Sequence, residues 1–442
     1  MPPDGIILML REENMILTNE IMQTYTDILR EELLPAMGCT EPIAIAYAAS
    51  IMRHALGDDP TAIRVGLSGN IIKNVKSVIV PATGGMHGIG AAVAAGVIAG
   101  CPDRRLEVLC ALTHDDRDRI AAYLAAVPPE IYELETQHPF ELDMVGTSER
   151  GTARVHLVNR HTNVSLVEVN GEDLTARYGD VESGEHHVHA NRLLLSVERI
   201  VAFAETTPLD ELRPLLHRQI DMNMAIAEEG IQGEWGAAVG KLLYNEGRCD
   251  LRTKARAYAA AGSDARMNGC ELPVCILSGS GNQGITASVP VIVFAREMGV
   301  DEETLLRALI VSDLITIHQK TGIGCLSAYC GAISAGCGCG CGICYLEGGR
   351  YYEIAHTLVN AVAILSGTIC DGAKASCAAK IAMAVEAGIV GYDMMRSGHQ
   401  FYGGDGIVTK GVENTIRNVG RLARDGMSAT DREIIRIMLG ED

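Results

Sequence analysis

The sequence predicts an α+β fold in which a mostly helical domain carries a small inserted α/β domain. Apolar residues recur with helical spacing over 18–35 and 43–56, the pattern becomes mixed from about 61 to 175, and residues 193–442 are almost wholly helical in period. At 442 residues the chain also exceeds the size at which a single core usually stops growing. We therefore expect N-terminal helices over 15–60 that pack with the helical domain, an α/β domain over 61–178 and a helical domain over 190–442.

The individual elements follow from their flanking residues and their periods. Thr18 is placed to cap the first helix, and Pro42 suits the start of the second. Within the α/β segment, strands are predicted at 62–68, 75–80, 106–113, 131–136, 153–158 and 164–169, with helices at 86–100 and 116–127. Residues 178–192 read as a polar exit linker, and we attribute His186, His187 and His189 to linker polarity. Gly-rich joints are expected at 278–284, 322–324, 331–342 and 402–406.

Composition limits the class of protein. Apolar residues make up 48% of the chain but aromatic residues only 4%, and the 48 glycines indicate helices that pack closely through small side chains. The net charge of −19 argues against nucleic acid or an anionic membrane surface as a partner, because phosphate binding needs a basic face. No apolar run is long enough to span a bilayer and no signal peptide is evident, so a cytoplasmic protein is expected.

Most of the 14 cysteines should be small buried apolar residues, but three have a different context. Cys325 lies in TGIGCLSAY, and Cys370 and Cys377 flank the short polar loop DGAKAS, which can fold both sulfurs onto one iron–sulfur cluster. Three thiolates leave one iron without a protein ligand, and that iron can bind a substrate as a Lewis acid.

Two other patterns compete for the chemistry. SGSGNQG at 278–284 satisfies G-x-G-x-x-G, but helices follow it and Pro290 lies inside the first of them, so a dinucleotide site is disfavoured. The glycine turn remains a seat for a substrate carboxylate. In CGCGCGIC, residues 337, 341 and 344 fit C-x3-C-x2-C, yet no barrel of alternating strands and helices follows. We interpret this run as a small-residue helix crossing.

Five segments in order carry a family resemblance: PAMGCTEP at 35–42, LSGNIIKNVKSVIVPATGGMHGIGAA at 67–92, SGSGNQGI at 278–285, KTGIGCLSA at 320–328 and CDGAKASCAAK at 370–380. Together they resemble the L-cysteine desulfidase and serine dehydratase-like alpha subunit family, over about residues 18 to 435. More distantly, the layout is similar to the iron–sulfur L-serine dehydratases, in which a third cysteine lies some forty residues before the pair.

The resemblance implies a 4Fe-4S-dependent lyase that needs no pyridoxal phosphate, with a helical iron–sulfur catalytic domain and Cys325, Cys370 and Cys377 as cluster ligands. The implied reaction removes the β-substituent of a small L-amino acid, with L-cysteine giving pyruvate, ammonia and hydrogen sulfide. L-serine or L-threonine dehydration is the alternative within the class, and an iron–sulfur redox sensor without catalysis is the alternative outside it. The expected partners are a small-molecule amino acid and a second copy of the chain as a homodimer.

Cys39 and His87 are the candidate catalytic residues. Cys39 precedes Pro42 in a polar turn, so it should lie at a helix N-terminus, where the macrodipole lowers the pKa of a thiol. It is either the base that removes the α-proton or a cap on the fourth iron. His87, between glycines, can orient the substrate or shuttle a proton. The candidate substrate-binding residues are Thr40, Glu41, Asn70, Lys73, Asn74, Ser280, Asn282, Gln283 and Lys374, the last of which is expected to offset the charge of the cluster.

Overall fold

A computed structural model describes residues 17–179, 190–244, 249–324 and 326–440. Cys325 and the three linker histidines at 186, 187 and 189 lie outside these ranges. The fold is mostly helical with two small sheets, which confirms the predicted α+β class. Within the described ranges, no helix combines the length and the apolar character that crossing a bilayer requires.

The elements are given in chain order. The helices are α1 (Asn19–Glu32), α2 (Thr40–Leu56), α3 (Gly69–Val75), α4 (Gly88–Ala99), α5 (His114–Ala126), α6 (Thr175–Tyr178), α7 (Val197–Thr206), α8 (Arg213–Gln232), α9 (Val239–Tyr244), α10 (Leu251–Met267), α11 (Gly281–Met298), α12 (Glu302–Ile323), α13 (Gly331–Leu346), α14 (Tyr351–Leu365), α15 (Cys377–Arg396), α16 (Val412–Arg421) and α17 (Ser428–Leu439). The strands are β1 (Pro35–Met37), β2 (Ala62–Leu67), β3 (Glu130–Glu133), β4 (Glu141–Ser148), β5 (Gly151–Val158), β6 (Val164–Val169), β7 (Glu172–Asp173) and β8 (Pro273–Cys275).

The larger sheet has six strands in the order β3-β2-β4-β5-β6-β7. Only the β2–β3 pair is parallel; the others are antiparallel, with Val65 opposite Met144 in the β2–β4 register. Helix α2 packs on β5 and on α4, and its buried residues surround the whole helix rather than one face. An element of this kind forms the centre of a core instead of its edge.

The smaller sheet joins distant parts of the chain. Strands β1 and β8 pair antiparallel, with Pro35 opposite Cys275. This two-stranded ribbon brings the turn before α2 next to the turn before α11. The Thr40 hydroxyl then donates to the carbonyl of Gly279 at 2.9 Å, which fixes the two helix N-termini beside each other.

Four of the six strands predicted in the α/β segment are confirmed, and two predictions are wrong. Residues 75–80 begin at the last residue of α3 and continue as irregular chain, in which Val78 and Val80 are buried. Residues 106–113 begin in a 3-10 helix that starts at Pro102, and Leu106, Val108 and Leu109 are buried without a strand. In both segments the apolar spacing reflects burial of loop residues rather than a pleated strand. Strand β4 was not predicted, although residues 142, 144 and 146 alternate as its buried face.

The Gly–Cys run lies inside α13, so the predicted joint at 331–342 is wrong and the helix-crossing interpretation agrees with the structure. A Cβ added at Gly336 would clash with the backbone of Ala384, and one at Gly340 with the backbone of Gly388. Helices α13 and α15 therefore approach closely only because glycines face each other. All four cysteines between 337 and 344 are buried at this crossing.

The first helix is tied to the helical half of the chain. The Tyr25 hydroxyl donates to the carbonyl of Leu194, and the Arg192 guanidinium pairs with both Glu31 and Glu32. Contacts alone do not divide the chain into units, because one large core cluster includes residues from α1, the sheet and the helical half. The proposed domain boundaries stay a prediction.

Candidate active site

Four cysteines from separate segments line one small cavity of about 100 Å³, which we call the thiol cavity. Cys39 is the N-cap residue of α2, Cys330 is the N-cap of α13, Cys370 lies in the loop before α15, and Cys377 is the first residue of α15. Three of the four thiols thus lie at helix N-termini, where the helix dipole favours negative charge. The remaining lining residues include Glu41, Asn74, Arg266, Ser280, Asn282, Gln283, Lys320, Tyr329 and Lys380.

Cys330 and Cys370 are held together by backbone and side-chain bonds. The Cys330 amide donates to the Thr368 carbonyl at 3.0 Å, and the Cys370 amide donates to the Ala328 carbonyl at 2.6 Å. Donation from the Cys330 thiol, and then the positive charges of Lys73 and Lys380, lower the pKa of Cys370 to about 6 despite its burial. The same hydrogen bond and burial raise the pKa of Cys330 well above its ordinary value. The shared hydrogen bond and the two lysines therefore favour the thiolate form at Cys370 rather than at Cys330.

The loop between Cys370 and Cys377 is shaped by two lysines and a glycine. Asp371 forms ion pairs with Lys374 and Lys380. Burial would raise the pKa of Asp371, but the hydrogen bonds and charges of these lysines bring it down to about 2. Gly372 has a φ of +94° and lies against the backbone of Lys73, so any Cβ there would collide with that carbonyl. This loop therefore packs closely on α3, and both of its cysteines line the cavity.

Within the described part of the chain, no three His, Cys, Asp or Glu side chains converge closely enough to hold a single metal ion. Each cysteine of a cluster binds a different iron, so cluster ligands need not meet at one point. Cys330, Cys370 and Cys377 fit this pattern, since they line one cavity and nearby lysines offset negative charge there. The lysines are Lys73 and Lys380 for Cys370, and Lys374 and Lys380 for Cys377. Cys330 was not predicted as a site residue. Its spacing of 40 positions before Cys370 was the available signal.

A second cluster of polar groups surrounds Cys39. The Cys39 thiol donates to Oε2 of Glu41 at 3.1 Å, and the Asn74 amide donates to the other oxygen at 2.8 Å. Burial, reinforced by the Glu41 charge, raises the pKa of Cys39 well above its ordinary value, so the predicted lowering by the helix dipole is wrong. Burial acts to raise the pKa of Glu41, but the electrostatic interaction with His161 and the hydrogen bonds from Cys39 and Asn74 outweigh it and lower that pKa. Glu41 is therefore ionised, and Cys39 keeps its proton.

Two further residues at this cluster were not predicted. Arg266, at the end of α10, is 2% exposed and acts electrostatically on both Cys39 and His161. His161 comes from the turn between β5 and β6, and its ring packs against Phe140 with centroids 4.7 Å apart. Burial lowers the pKa of His161, and its Nε2 atom has no hydrogen-bond partner. At neutral pH this imidazole is neutral.

A second cavity of about 360 Å³, the outer cavity, adjoins the thiol cavity through Lys320 and Leu326, which line both. His161, Ser278 and Gly279 also line it. The turn at 278–280 contributes residues to both linings, and its Ser278 has a φ of +48°. The two cavities are therefore neighbours.

The structure brings together some predicted substrate-binding residues but not others. Glu41, Asn74, Ser280, Asn282 and Gln283 line the thiol cavity, and Thr40 is buried beside it. Asn70 does not line either cavity.

Lys73, Lys374 and His87 take different positions. Lys73 is buried and forms an ion pair with Asp431 of α17, so its ammonium group already has a partner within the protein. Lys374 bonds to the carbonyls of Asp371 and Gly372 in its own loop, and its charge acts to lower the pKa of Cys377, as expected of a residue that offsets negative charge there. His87 is exposed at the start of α4 and lines neither cavity, so the structure gives its catalytic role no support.

The model of the serine dehydratase alpha chain family matches residues 103–436. The chain belongs to this family. A UPF0597 protein of Desulfitobacterium hafniense is 52% identical over 419 residues, covering 95% of this chain and 97% of the relative. UPF0597 proteins of Treponema denticola and Finegoldia magna are 44% and 45% identical, covering 94% and 95% of this chain and 98% and 100% of the relatives. The predicted resemblance is confirmed at the level of the family, and membership supports a dehydratase-like lyase.

Proposed function

We propose that this protein is a 4Fe-4S-dependent lyase that removes the β-substituent of a small L-amino acid. The observation that carries the proposal is that Cys330, Cys370 and Cys377 line one cavity together with Cys39 and ionised Glu41. L-cysteine is the first candidate substrate, because GCTEP resembles the desulfidase branch of the family. L-serine is the second candidate, because the matching family is that of the serine dehydratase alpha chain.

The donor set suits an iron–sulfur cluster held by Cys330, Cys370 and Cys377, with Cys325 as a further candidate ligand outside the described residues. When bound, such a cluster would supply a Lewis-acidic iron that makes thiolate or hydroxide a better leaving group. Lys380 and Lys73 lie close enough to Cys370 to lower its pKa, so the chain already provides positive charge where thiolates gather. This arrangement needs no pyridoxal phosphate.

Cys39 and Glu41 can handle the proton of the substrate α-carbon. In this structure the proton is on Sγ of Cys39 and is donated to Oε2 of Glu41. Cys39 therefore accepts an α-proton only after passing its own proton to Glu41, and the short contact makes that transfer direct. Asn74 holds the carboxylate of Glu41 in place from its other oxygen. The carboxylate and the thiol together form a proton relay.

The direct test is anaerobic purification followed by assays for pyruvate from L-cysteine, L-serine and L-threonine. We expect about four irons per chain and turnover of at least one of these amino acids. Stoichiometric zinc with no iron and full activity would contradict the cluster. An iron-loaded protein that converts none of the three amino acids would contradict the lyase and leave a redox sensor as the better description.

Ligand assignment is tested by single alanine variants. Cys330→Ala, Cys370→Ala and Cys377→Ala should each lose iron and activity together. Cys341→Ala is the control, since Cys341 is buried like Cys330 but lies at the crossing of α13 and α15 and outside the thiol cavity. Retention of iron in Cys330→Ala with loss in Cys325→Ala would return the third ligand to the position predicted from the sequence.

A further inference from the structure

Several buried polar atoms around the start of α11 have no hydrogen-bond partner. They are Nε of Arg266, Oε1 of Gln283 and Oδ1 of Asn282, and all three residues line the thiol cavity. Arg266 is 2% exposed and Gln283 is 5% exposed, so bulk water does not solvate these side chains. Buried polar groups in proteins are normally satisfied, and unsatisfied ones gathered at one cavity indicate a polar ligand.

The start of α11 is built for close approach. Ser280 is the N-cap residue, but its side chain makes no capping bond to the first turn of this 18-residue helix. A Cβ at residue 281 would come within 2.3 Å of Nε of Arg266 and 2.6 Å of Cγ2 of Val274, so one of these side chains would have to move. The guanidinium therefore lies directly against the helix N-terminus, where free backbone N–H groups and the helix dipole also favour an anion.

The chemistry of this arrangement selects a carboxylate. A guanidinium offers two parallel N–H groups that match the two oxygens of a carboxylate, and the interaction is strong when water is excluded. On the basis of the function proposed above, we propose that Arg266, together with the N-terminus of α11, binds the α-carboxylate of the amino-acid substrate.

Arg266 has a competing explanation, because its charge also acts on Cys39 and lies near the Glu41 cluster. If it only balanced Glu41, its loss would disturb the cavity for every ligand equally. If it binds the carboxylate, its loss should matter only for ligands that carry one. The comparison of an acid with its amide separates the two explanations.

The experiment measures binding of L-alanine and L-alaninamide, which have no leaving group, to anaerobically prepared wild-type and variant proteins by calorimetry. We expect wild type to bind L-alanine and Arg266→Lys to bind it about 10- to 100-fold more weakly, the effect of one charge-assisted hydrogen-bond pair. Binding of L-alaninamide should change by far less. Gly281→Ala keeps the charge but displaces the guanidinium, so it should show the same selective loss. Arg119→Lys, on the exposed surface of α5, is the matched control.

Equal weakening of both ligands in Arg266→Lys would overturn the proposal, as would unchanged L-alanine binding in both variants or no L-alanine binding by wild type. The proposed function is judged separately by pyruvate release. A wild-type protein that releases no pyruvate, yet binds L-alanine in an Arg266-dependent way, would contradict the lyase function and support the carboxylate site. Turnover of L-cysteine with an unchanged KM in Arg266→Lys would support the lyase function and contradict the carboxylate site.

Discussion

The buried ion pair between Lys73 and Asp431 predicts a large loss of stability in Asp431→Asn. The side chains of Lys73 and Asp431 are 1% and 13% exposed, so the substitution leaves an ammonium group buried without its counter-charge. Breaking a buried pair from one side costs about 3 to 5 kcal/mol. The unfolding entropy is about 2 cal/mol/K per residue, which over 442 residues converts this loss to about 3 to 5 °C in Tm.

The assay is thermal unfolding followed by circular dichroism, with Glu130→Gln as the control. The Glu130 pair with Arg64 is exposed on both sides, at 64% and 59%, and is screened by solvent. Its loss should cost no more than about 1 kcal/mol. The double variant Lys73→Met with Asp431→Leu should recover most of the stability, because it removes the stranded charge as well.

The reasoning is refuted if Asp431→Asn has the same Tm as wild type, or if the double variant is less stable than Asp431→Asn. Either result would mean that α17 does not seal Lys73 from water. A matched loss in Glu130→Gln would show that the assay responds to any removed charge.

Two further predictions follow from buried groups. Cys39→Ser should keep its iron but lose turnover by roughly 10²- to 10⁴-fold, because a serine hydroxyl is a far poorer relay group than a thiol. Solvent deuterium exchange at the substrate α-carbon at the wild-type rate would rule Cys39 out as the base. The control is Cys110→Ser, since Cys110 is exposed. Burial raises the pKa of Asp313 to about 7, above its unfolded value near 3.8. The protonated Asp313 therefore contributes fully to the free energy of unfolding below about pH 4, and this contribution is lost as the pH rises to about 7. In denaturant titrations Asp313→Asn should remove up to about 4 kcal/mol of that pH dependence, and an unchanged profile would contradict a buried neutral carboxyl.

The fold class was predictable because helical apolar spacing extends over long segments of the chain. The Gly–Cys run was interpretable for a related reason: small residues alternating in an apolar context have few uses other than a close helix crossing. The loop at 370–377 and the turn at Cys39 were recognisable as site elements from their short polar character. Each of these features depends on residues that are close together in the chain, so a short stretch of sequence is enough to predict it.

The errors concern properties that depend on distant residues. Cys39 does lie at a helix N-terminus, but Glu41 and full burial reverse the expected direction of its pKa shift. Lys73 looked like a ligand for a carboxylate, yet its partner comes from α17, at the far end of the chain. Arg266 and His161 reach the cavity from α10 and from a hairpin turn, and no spacing in the sequence connects them to the thiols.

The bond from Thr40 to Gly279 joins residues 239 positions apart, so the two halves of the site meet only after long stretches of chain have folded. Contacts of such wide sequence separation are costly to close and form only in the complete native state. Any molecule that recognises the assembled cavity consequently binds folded protein alone and shifts its melting curve upward with concentration. A screen of amino acids by melting temperature can therefore rank ligands for this chain before any product has been detected.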